Sequence, residues 1–115
     1  MTRRWIGSAD IEITDRGEQV VAHRSAATAS TNKVDVTSAG RIALAANANR
    51  ICAVLVNDSD TDLYIKLGAN PAVGTGIKLN AYGGSFAITA ANLYTGVITA
   101  ICASEEAKGL LVTEF

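Results

Sequence analysis

Chemistry-bearing residues and long apolar stretches are scarce in this sequence. Its 115 residues include one histidine, one proline, two cysteines, one tryptophan, three tyrosines and two phenylalanines. The longest uninterrupted apolar run, residues 51–56, is far shorter than the roughly 20 residues that span a bilayer. Residues 1–5 lead into no apolar stretch of the kind that a signal peptide carries. We therefore expect neither a membrane-spanning segment nor a secretory signal.

Charge of either sign is also not in excess. Ten basic and eleven acidic residues give a formal net charge of -1, which removes the electrostatic attraction that nucleic-acid binding normally requires. The distribution is uneven, because seven basic and five acidic residues precede residue 51, whereas three basic and six acidic residues follow it. The two halves could attract each other between subunits. The alternative is a chance segregation of solvated charge, since exposed ion pairs contribute only ~0–1 kcal/mol each.

The few reactive side chains form no recognisable catalytic or metal-binding pattern. Cys52 and Cys102 lie in separate apolar runs without CxxC spacing, so we expect buried thiols and regard a disulfide between facing sheets as the less favoured alternative. His23 has no second ligand at metal spacing and no serine-base-acid arrangement around it. The sequence therefore predicts no enzymatic activity, no metal and no cofactor.

Two polar segments resemble ligand-binding loops only in part. The run Asp58-Ser59-Asp60-Thr61-Asp62 has alternate carboxylates, as a calcium loop does, but an EF-hand would need glycine at Leu63 and glutamate at Ala69. A hairpin turn with capping aspartates is the favoured interpretation. The sequence Gly74-Thr75-Gly76 lacks the rest of a phosphate-binding motif, so we predict an ordinary loop.

The apolar content predicts a thin core. Twenty residues are alanine, and valine, isoleucine and leucine together number twenty-seven, so the core must be built from small and aliphatic side chains. Small domains bury a modest share of their surface and often need partner subunits for stability. We expect a homo-oligomer, and among its possible symmetries we favour a trimer.

Residues 1–32 are predicted to be an N-terminal arm and linker. Residues 10–14 alternate polar and apolar side chains, Asp15-Arg16-Gly17 favours a turn, and residues 18–21 become apolar again, which together predict a short hairpin. Residues 25–32 are small and polar, as in a linker. Trp5 could insert into a neighbouring surface or fold back on its own domain. The candidate interaction residues of the arm are Trp5, Ile6, Arg3, Arg4 and Arg16.

From residue 33 onward the pattern is typical of an all-β antiparallel sandwich, jelly-roll-like, with about eight short strands. The predicted strands are residues 33–37, 41–45, 50–57, 62–68, 76–80, 85–89, 95–103 and 109–114. Within two of these strands, residues 50–56 and 97–103 are apolar on both faces, so these strands should be central and covered outside by the arm or by another subunit. The alanine-rich residues 41–48 could equally form one or two helical turns.

Aromatic side chains offer one candidate ligand site. Tyr64, Tyr82 and Tyr94, together with Phe86, could form a small ring-lined site that stacks a sugar or a base. The alternative is that these rings fill the core of the sandwich, which is the commoner use of aromatic residues in such folds.

A series of short motifs resembles a small β-domain that recurs in virion proteins of tailed bacteriophages. The motifs are Ala45-Ala46-Asn47-Ala48-Asn49-Arg50, Val54-Leu55-Val56-Asn57-Asp58-Ser59, Leu63-Tyr64-Ile65-Lys66-Leu67-Gly68, Gly83-Gly84-Ser85-Phe86, Leu93-Tyr94-Thr95-Gly96 and Leu111-Val112-Thr113-Glu114. The resemblance covers about residues 33–115 and leaves the arm outside. Many such domains carry proline where this chain has Ala48, a difference that concerns local turn geometry.

The resemblance implies a non-enzymatic role in a virion. Such domains occur in capsid decoration (cement) proteins and in head-fibre, neck and tail components, usually as symmetric oligomers. The expected partners are further copies of the chain and the major capsid protein or other virion proteins, with neither nucleic acid nor membrane among them. The expected location is the virion, with the capsid surface favoured, after synthesis in the host cytoplasm. A carbohydrate-binding module that uses the tyrosines is the alternative from another class.

Overall fold

The computed structural model describes residues 25–115, which form two four-stranded antiparallel sheets. The strands are β1 (Ser30–Val36), β2 (Arg41–Leu44), β3 (Ala53–Asn57), β4 (Leu63–Leu67), β5 (Ile77–Leu79), β6 (Ser85–Ile88), β7 (Ile98–Ile101) and β8 (Lys108–Glu114), with a 3₁₀ turn at Ala90–Asn92. Nothing in the described range is a helix long and apolar enough to cross a membrane. The predicted arm hairpin at residues 10–21 lies outside the described residues.

The strand order is that of a jelly roll. Sheet A has the order β1-β8-β3-β6 and sheet B the order β2-β7-β4-β5. The strands therefore pair in a nested series, first with eighth, second with seventh, third with sixth and fourth with fifth, which is the double Greek key of a jelly roll. The predicted all-β sandwich is confirmed, including the central positions of the two doubly apolar strands, β3 and β7.

The core between the sheets is aliphatic, as the composition predicts. It is formed by alternate side chains of all eight strands, together with Cys102 just after β7, namely Val36, Ala43, Ala53, Leu55, Leu63, Ile65, Leu79, Ile88, Ile98, Ala100, Cys102, Leu110 and Val112. Phe86 and Tyr94 pack against this cluster from its border and are only partly buried. Leu67 lies on the core side of β4 but is 38% exposed, because β4 ends beyond the packed layer.

Several strand limits differ from those that the pattern predicts. Strand β1 already begins at Ser30, because residues 30–32 pair with residues 112–114 of β8. Backbone hydrogen bonds hold this segment in the sheet, although its side chains are too small and polar for the sequence pattern to indicate a strand. Strand β3 begins at Ala53 rather than at Arg50. The alanine-rich segment is a strand, β2, whose pairing with β7 is interrupted by a bulge between Ile42 and Leu44.

Two further predictions are corrected by the structure. The segment from Asp58 to Asp62 is not a hairpin turn, because β3 belongs to sheet A and β4 to sheet B, so the segment connects the two sheets. Cys102 is buried as predicted, but Cys52 is only half-buried, and both are free thiols. Cys52 precedes β3 and Cys102 follows β7, which places them near opposite ends of the sandwich.

The antiparallel order separates the loops into two groups. We call one group the arm end; it contains residues 25–29, where the chain enters β1, the loops 45–52, 68–76 and 89–97, and Phe115. The other group, the far end, contains the loops 37–40, 58–62, 80–84 and 102–107. Backbone hydrogen bonds join loops within each group, for example from Asn47 to Thr95 at the arm end and from Ser38 to Ser104 at the far end.

Candidate functional site

The arm end is organised by a fully buried arginine. The Nε–H of Arg50 donates to Glu114 Oε2 at 2.7 Å, and its two terminal nitrogens donate to three backbone carbonyl oxygens, at 2.7 Å to Ala45, 2.7 Å to Tyr94 and 3.1 Å to Gly96. Arginine suits this position because its planar group has five donors in a fixed arrangement. One side chain thus fixes two loops and strand β8.

Glu114 completes this cluster at the end of β8. Its carboxylate accepts a second hydrogen bond from Asn47 Nδ2 at 3.3 Å, and its side chain is 18% exposed. Glu114 pairs with Ser30 of β1 on one side and with Ala53 of β3 on the other. The buried ion pair therefore lies beside the point where residues 25–29 enter the sheet, so it fixes the origin of the N-terminal segment.

The far end is organised by a buried asparagine. Asn57 is fully buried. Its Nδ2 donates to the carbonyl oxygens of Thr61 and Leu79 at 2.8 and 2.9 Å. Its Oδ1 accepts from the Ser59 backbone N–H at 3.0 Å and from the Ser59 hydroxyl at 2.6 Å. Three of these bonds hold the connection between the two sheets and the fourth joins it to the end of β5, which satisfies the rule that buried polar groups find partners within the protein.

The carboxylates beside Asn57 are used in separate contacts. Asp60 accepts from Lys108 Nζ at 2.9 Å, and this bond holds its pKa below the ordinary value while raising that of Lys108. Asp62 accepts from the Ala81 backbone N–H at 2.9 Å, which is the main reason that its pKa is lowered, and lies 3.4 Å from Lys78 Nζ. Each carboxylate thus joins a different neighbouring strand or turn. Among the described residues no cluster of three or more potential metal ligands is present.

Tyr82 has an unusual position in the loop between β5 and β6. It is 83% exposed and has a φ of 60°, a left-handed conformation that is unfavourable for a bulky side chain. Its backbone N–H donates to Ser59 at 2.8 Å, and the N–H of Gly83 donates to Asn57 at 2.8 Å. Two hydrogen bonds to the neighbouring loop therefore hold the backbone of Tyr82, while the ring contributes little to packing.

The three candidate tyrosines do not converge on one site. Tyr64 is half-buried on the outer side of sheet B, between Ile101 and Lys78 in the register. Tyr94 packs against the core at the arm end, where its carbonyl oxygen accepts from Arg50. Tyr82 is at the far end. Phe86 is on the core side of β6, opposite Leu55. Any ligand would therefore meet one of these rings at a time.

The outer face of sheet A is a flat and partly apolar surface. Val54 and Val56 of β3 point outward and are half-buried, and Leu111 of β8 lies beside Val56 and is 40% exposed. Toward the β1 edge a shallow cavity of about 370 Å³ is lined by residues 31–33 and 111–113. A second open cavity, of about 520 Å³, lies on sheet B between residues 39–42 and residues 69–71.

The predicted contact residues of the arm are not described by the structure. Trp5, Ile6, Arg3, Arg4 and Arg16 lie outside the described residues, as does His23. The residues that the sequence reasoning did not single out are Arg50 and Asn57, because each adjoins an apolar run and was assigned to a strand. One signal in the sequence could have identified Arg50 and Asn57. They stand immediately before and after the apolar run 51–56, and a charged or amide side chain at the end of an apolar strand indicates a buried polar group.

Comparison with known proteins assigns no family to the chain. No family model matches it, and no curated protein or solved structure shows significant similarity to it.

Proposed function

We propose that this protein is a structural component of a bacteriophage virion, most specifically a capsid decoration (cement) protein that contacts capsid subunits through its N-terminal arm. The jelly roll supports this proposal as an analogy of fold, because viral capsid proteins are among the proteins that use it. The same architecture also occurs in lectins and enzymes, so the arrangement of this chain's own residues must carry the argument.

The observation that carries the proposal is how the N-terminal segment joins the sheet. Residues 25–29 continue directly into β1, and all seven residues of β1 pair with β8. A pull on the segment is therefore shared by the whole β1–β8 ladder instead of being applied to a loop. The Arg50–Glu114 pair holds the end of β8 at the same place. This is a suitable construction for a domain that is tied to a large particle by its N-terminus.

Repetition on a lattice would strengthen such a contact. An arm loses conformational entropy when it becomes ordered on a partner, so a single contact is weak. Many copies on one particle raise the effective concentration of each contact. The arm proposed here has 24 residues outside the described range, and an extended chain spans about 3.3 Å per residue, which is long enough to cross a neighbouring subunit.

Deletion of residues 1–24 tests the proposal directly. The shortened chain should no longer bind phage particles, while the sandwich keeps its circular dichroism spectrum and its unfolding transition, because the eight strands and the core between them are built from residues 30–114. The paired change Trp5→Ala and Ile6→Ala should weaken binding, and Arg41→Ala on sheet B serves as the control. A shortened chain that still decorates particles at full occupancy would contradict the role of the arm.

A neck, tail or fibre component is the alternative within the virion. Copy number separates the two roles: a number comparable to that of the major capsid protein favours decoration, and a single ring at one vertex favours the alternative. Quantitative mass spectrometry of purified particles measures it.

Carbohydrate binding is a second candidate function, which the exposure of Tyr82 favours. An aromatic ring as exposed as that of Tyr82, at 83%, can stack on the apolar face of a sugar. A glycan array should then show binding that Tyr82→Ala removes and Tyr94→Phe leaves intact, whereas an array without signal would exclude this candidate.

A further inference from the structure

Strand β1 presents the longest open edge of the two sheets. It has seven residues, whereas the other edge strands, β2, β5 and β6, have four, three and four. One side of β1 pairs with β8 without a bulge, and in the described part of the chain no strand lies on its other side. Such an edge exposes a row of backbone donors and acceptors that a further strand can use.

Strand β1 has few of the features that usually prevent an edge strand from pairing with another chain. It contains neither proline nor glycine, and its first four residues are exposed. Its outward-facing side chains include one lysine and one aspartate, Lys33 and Asp35, two positions apart on the same face. Neither takes part in an ion pair among residues 25–115. The stem of Lys33 lies over Gly109, where a Cβ would be 2.8 Å from its Cε.

We propose that β1 pairs antiparallel with β1 of a second copy about a two-fold axis at Val34. A two-fold axis perpendicular to the sheet keeps the outer faces of both copies on the same side. Directly opposed residues then have numbers that are symmetric about residue 34. Lys33 lies opposite the partner's Asp35, and Asp35 lies opposite the partner's Lys33, once the lysine stem turns from Gly109 toward the edge. Opposite charges at directly opposed positions stabilise a strand pair.

The charge pattern selects this register over its neighbours. An axis at Lys33 would place two lysines opposite each other, and an axis at Asp35 would place two aspartates opposite each other, and like charges in that position are destabilising. On the core side the axis at Val34 brings two half-buried valines together and places Asn32 opposite the partner's Val36. The two copies of sheet A then form one continuous sheet of eight strands.

The pairing sets the direction of the two N-terminal segments. Because the paired strands are antiparallel, the two arm ends point in opposite directions, and each segment leaves toward a different neighbour. The contact uses neither sheet B nor the far end, so these surfaces stay open to other partners. The proposal does not depend on a virion role.

Charge exchange in the full chain tests the register. Sedimentation velocity over a range of concentrations should show a dimer for the wild type, in place of the trimer favoured from the sequence. Lys33→Asp and Asp35→Lys should each weaken dimerisation by about ten-fold or more, because each replaces two attractive pairs by two repulsive ones. The double variant K33D/D35K should recover wild-type association. An equimolar mixture of the two single variants should also recover it, as heterodimers. Lys66→Asp, on the outer face of sheet B, is the matched control and should associate as the wild type does.

A cysteine at the axis gives an independent measurement. In a Cys52→Ser background, Val34→Cys should form a disulfide-linked dimer under mild oxidation, because the two sulfur atoms face each other across the axis. Lys33→Cys in the same background should form far less. A wild type that stays monomeric at every concentration would overturn the proposal, since its own N-terminal segment or solvent would then cover the edge. So would single variants that associate like the wild type, or a mixture without recovery.

Discussion

The Nε atom of Arg50 lies 2.7 Å from Oε2 of Glu114, and the arginine is fully buried. This pair joins the start of the longest apolar run in the sequence to the end of its last strand. The same guanidinium donates to carbonyl oxygens on two loops. The geometry of the arm end therefore depends on one side chain, and loss of Arg50 should disturb both of these loops and the end of β8.

Replacement of Arg50 tests this dependence. Arg50→Ala leaves three carbonyl groups without this donor and the Glu114 carboxylate with only the hydrogen bond from Asn47, so we expect the free energy of unfolding to fall by about 3–5 kcal/mol. Arg50→Lys should remain destabilising, because a lysine cannot supply the same fork of donors. Urea unfolding measures both. Arg41→Ala, at an exposed position of β2, should change stability by less than about 0.5 kcal/mol, and an equal loss in both variants would contradict the assigned role.

Gly74 and Gly76 form a matched pair in the loop between β4 and β5. Both have positive φ, 85° and 87°, but a Cβ on Gly76 would lie 2.4 Å from the carbonyl oxygen of Ile65, whereas one on Gly74 meets nothing. Gly74→Ala should cost about 1–2 kcal/mol, the strain of a left-handed residue. Gly76→Ala should cost clearly more, because the backbone of β4 must move. Thermal unfolding of the two variants under one buffer compares them, and similar losses would show that the loop adapts.

Acid should remove the contribution of Asp62 to stability. The Ala81 N–H and then Lys78 lower the pKa of Asp62 from its ordinary value in the folded protein, so the unfolded chain takes up a proton at higher pH than the folded one. The contribution is complete above the unfolded-state value and is lost as pH falls through the folded-state value. Asp62→Asn should therefore unfold with a flatter pH dependence in this range.

The cause of that shift can be tested separately. In Lys78→Met the pKa of Asp62, followed by NMR, should stay below its ordinary range, because the backbone hydrogen bond is the larger cause. A return to the ordinary value would assign the shift to Lys78 instead.

The two thiols should differ in reactivity. Cys52 is half-buried and Cys102 is buried, with its Sγ 3.5 Å from the carbonyl oxygen of Val36. A thiol reagent should modify Cys52 in the folded protein and Cys102 only after unfolding. Cys52→Ser should abolish the first reaction and leave the second. Absence of free thiol in denaturant without reductant would instead indicate a disulfide.

The fold could be predicted from local patterns, whereas the polar clusters could not. Alternation in residues such as Leu63 and Ile65, and apolar faces on both sides of β3 and β7, were sufficient to predict a sandwich and to place these two strands inside their sheets. The pattern does not say which sheet a strand joins, so the segment after Asn57 was assigned to a hairpin. Arg50 was assigned to a strand, since most of the groups that allow its burial, Glu114 and the carbonyls of Tyr94 and Gly96, lie at distant positions that no local window contains.

The candidate site was predicted less well for the same reason. Side-chain type alone grouped Tyr64, Tyr82 and Tyr94, but three-dimensional placement separates them between the two ends and an outer face. The left-handed backbone of Tyr82 depends on hydrogen bonds that the N–H groups of Tyr82 and Gly83 donate to Ser59 and Asn57, more than twenty positions away, which explains why its exposure could not be anticipated.

The place of β8 between β1 and β3 has a consequence for biosynthesis. Of the eight strands, β8 leaves the ribosome last, yet it fills the middle of sheet A. Until it emerges, β1 has no neighbour in that sheet and β3 has only β6. The nascent chain therefore cannot complete sheet A before β8 has emerged, and chaperones that shield unpaired strands would meet it until then.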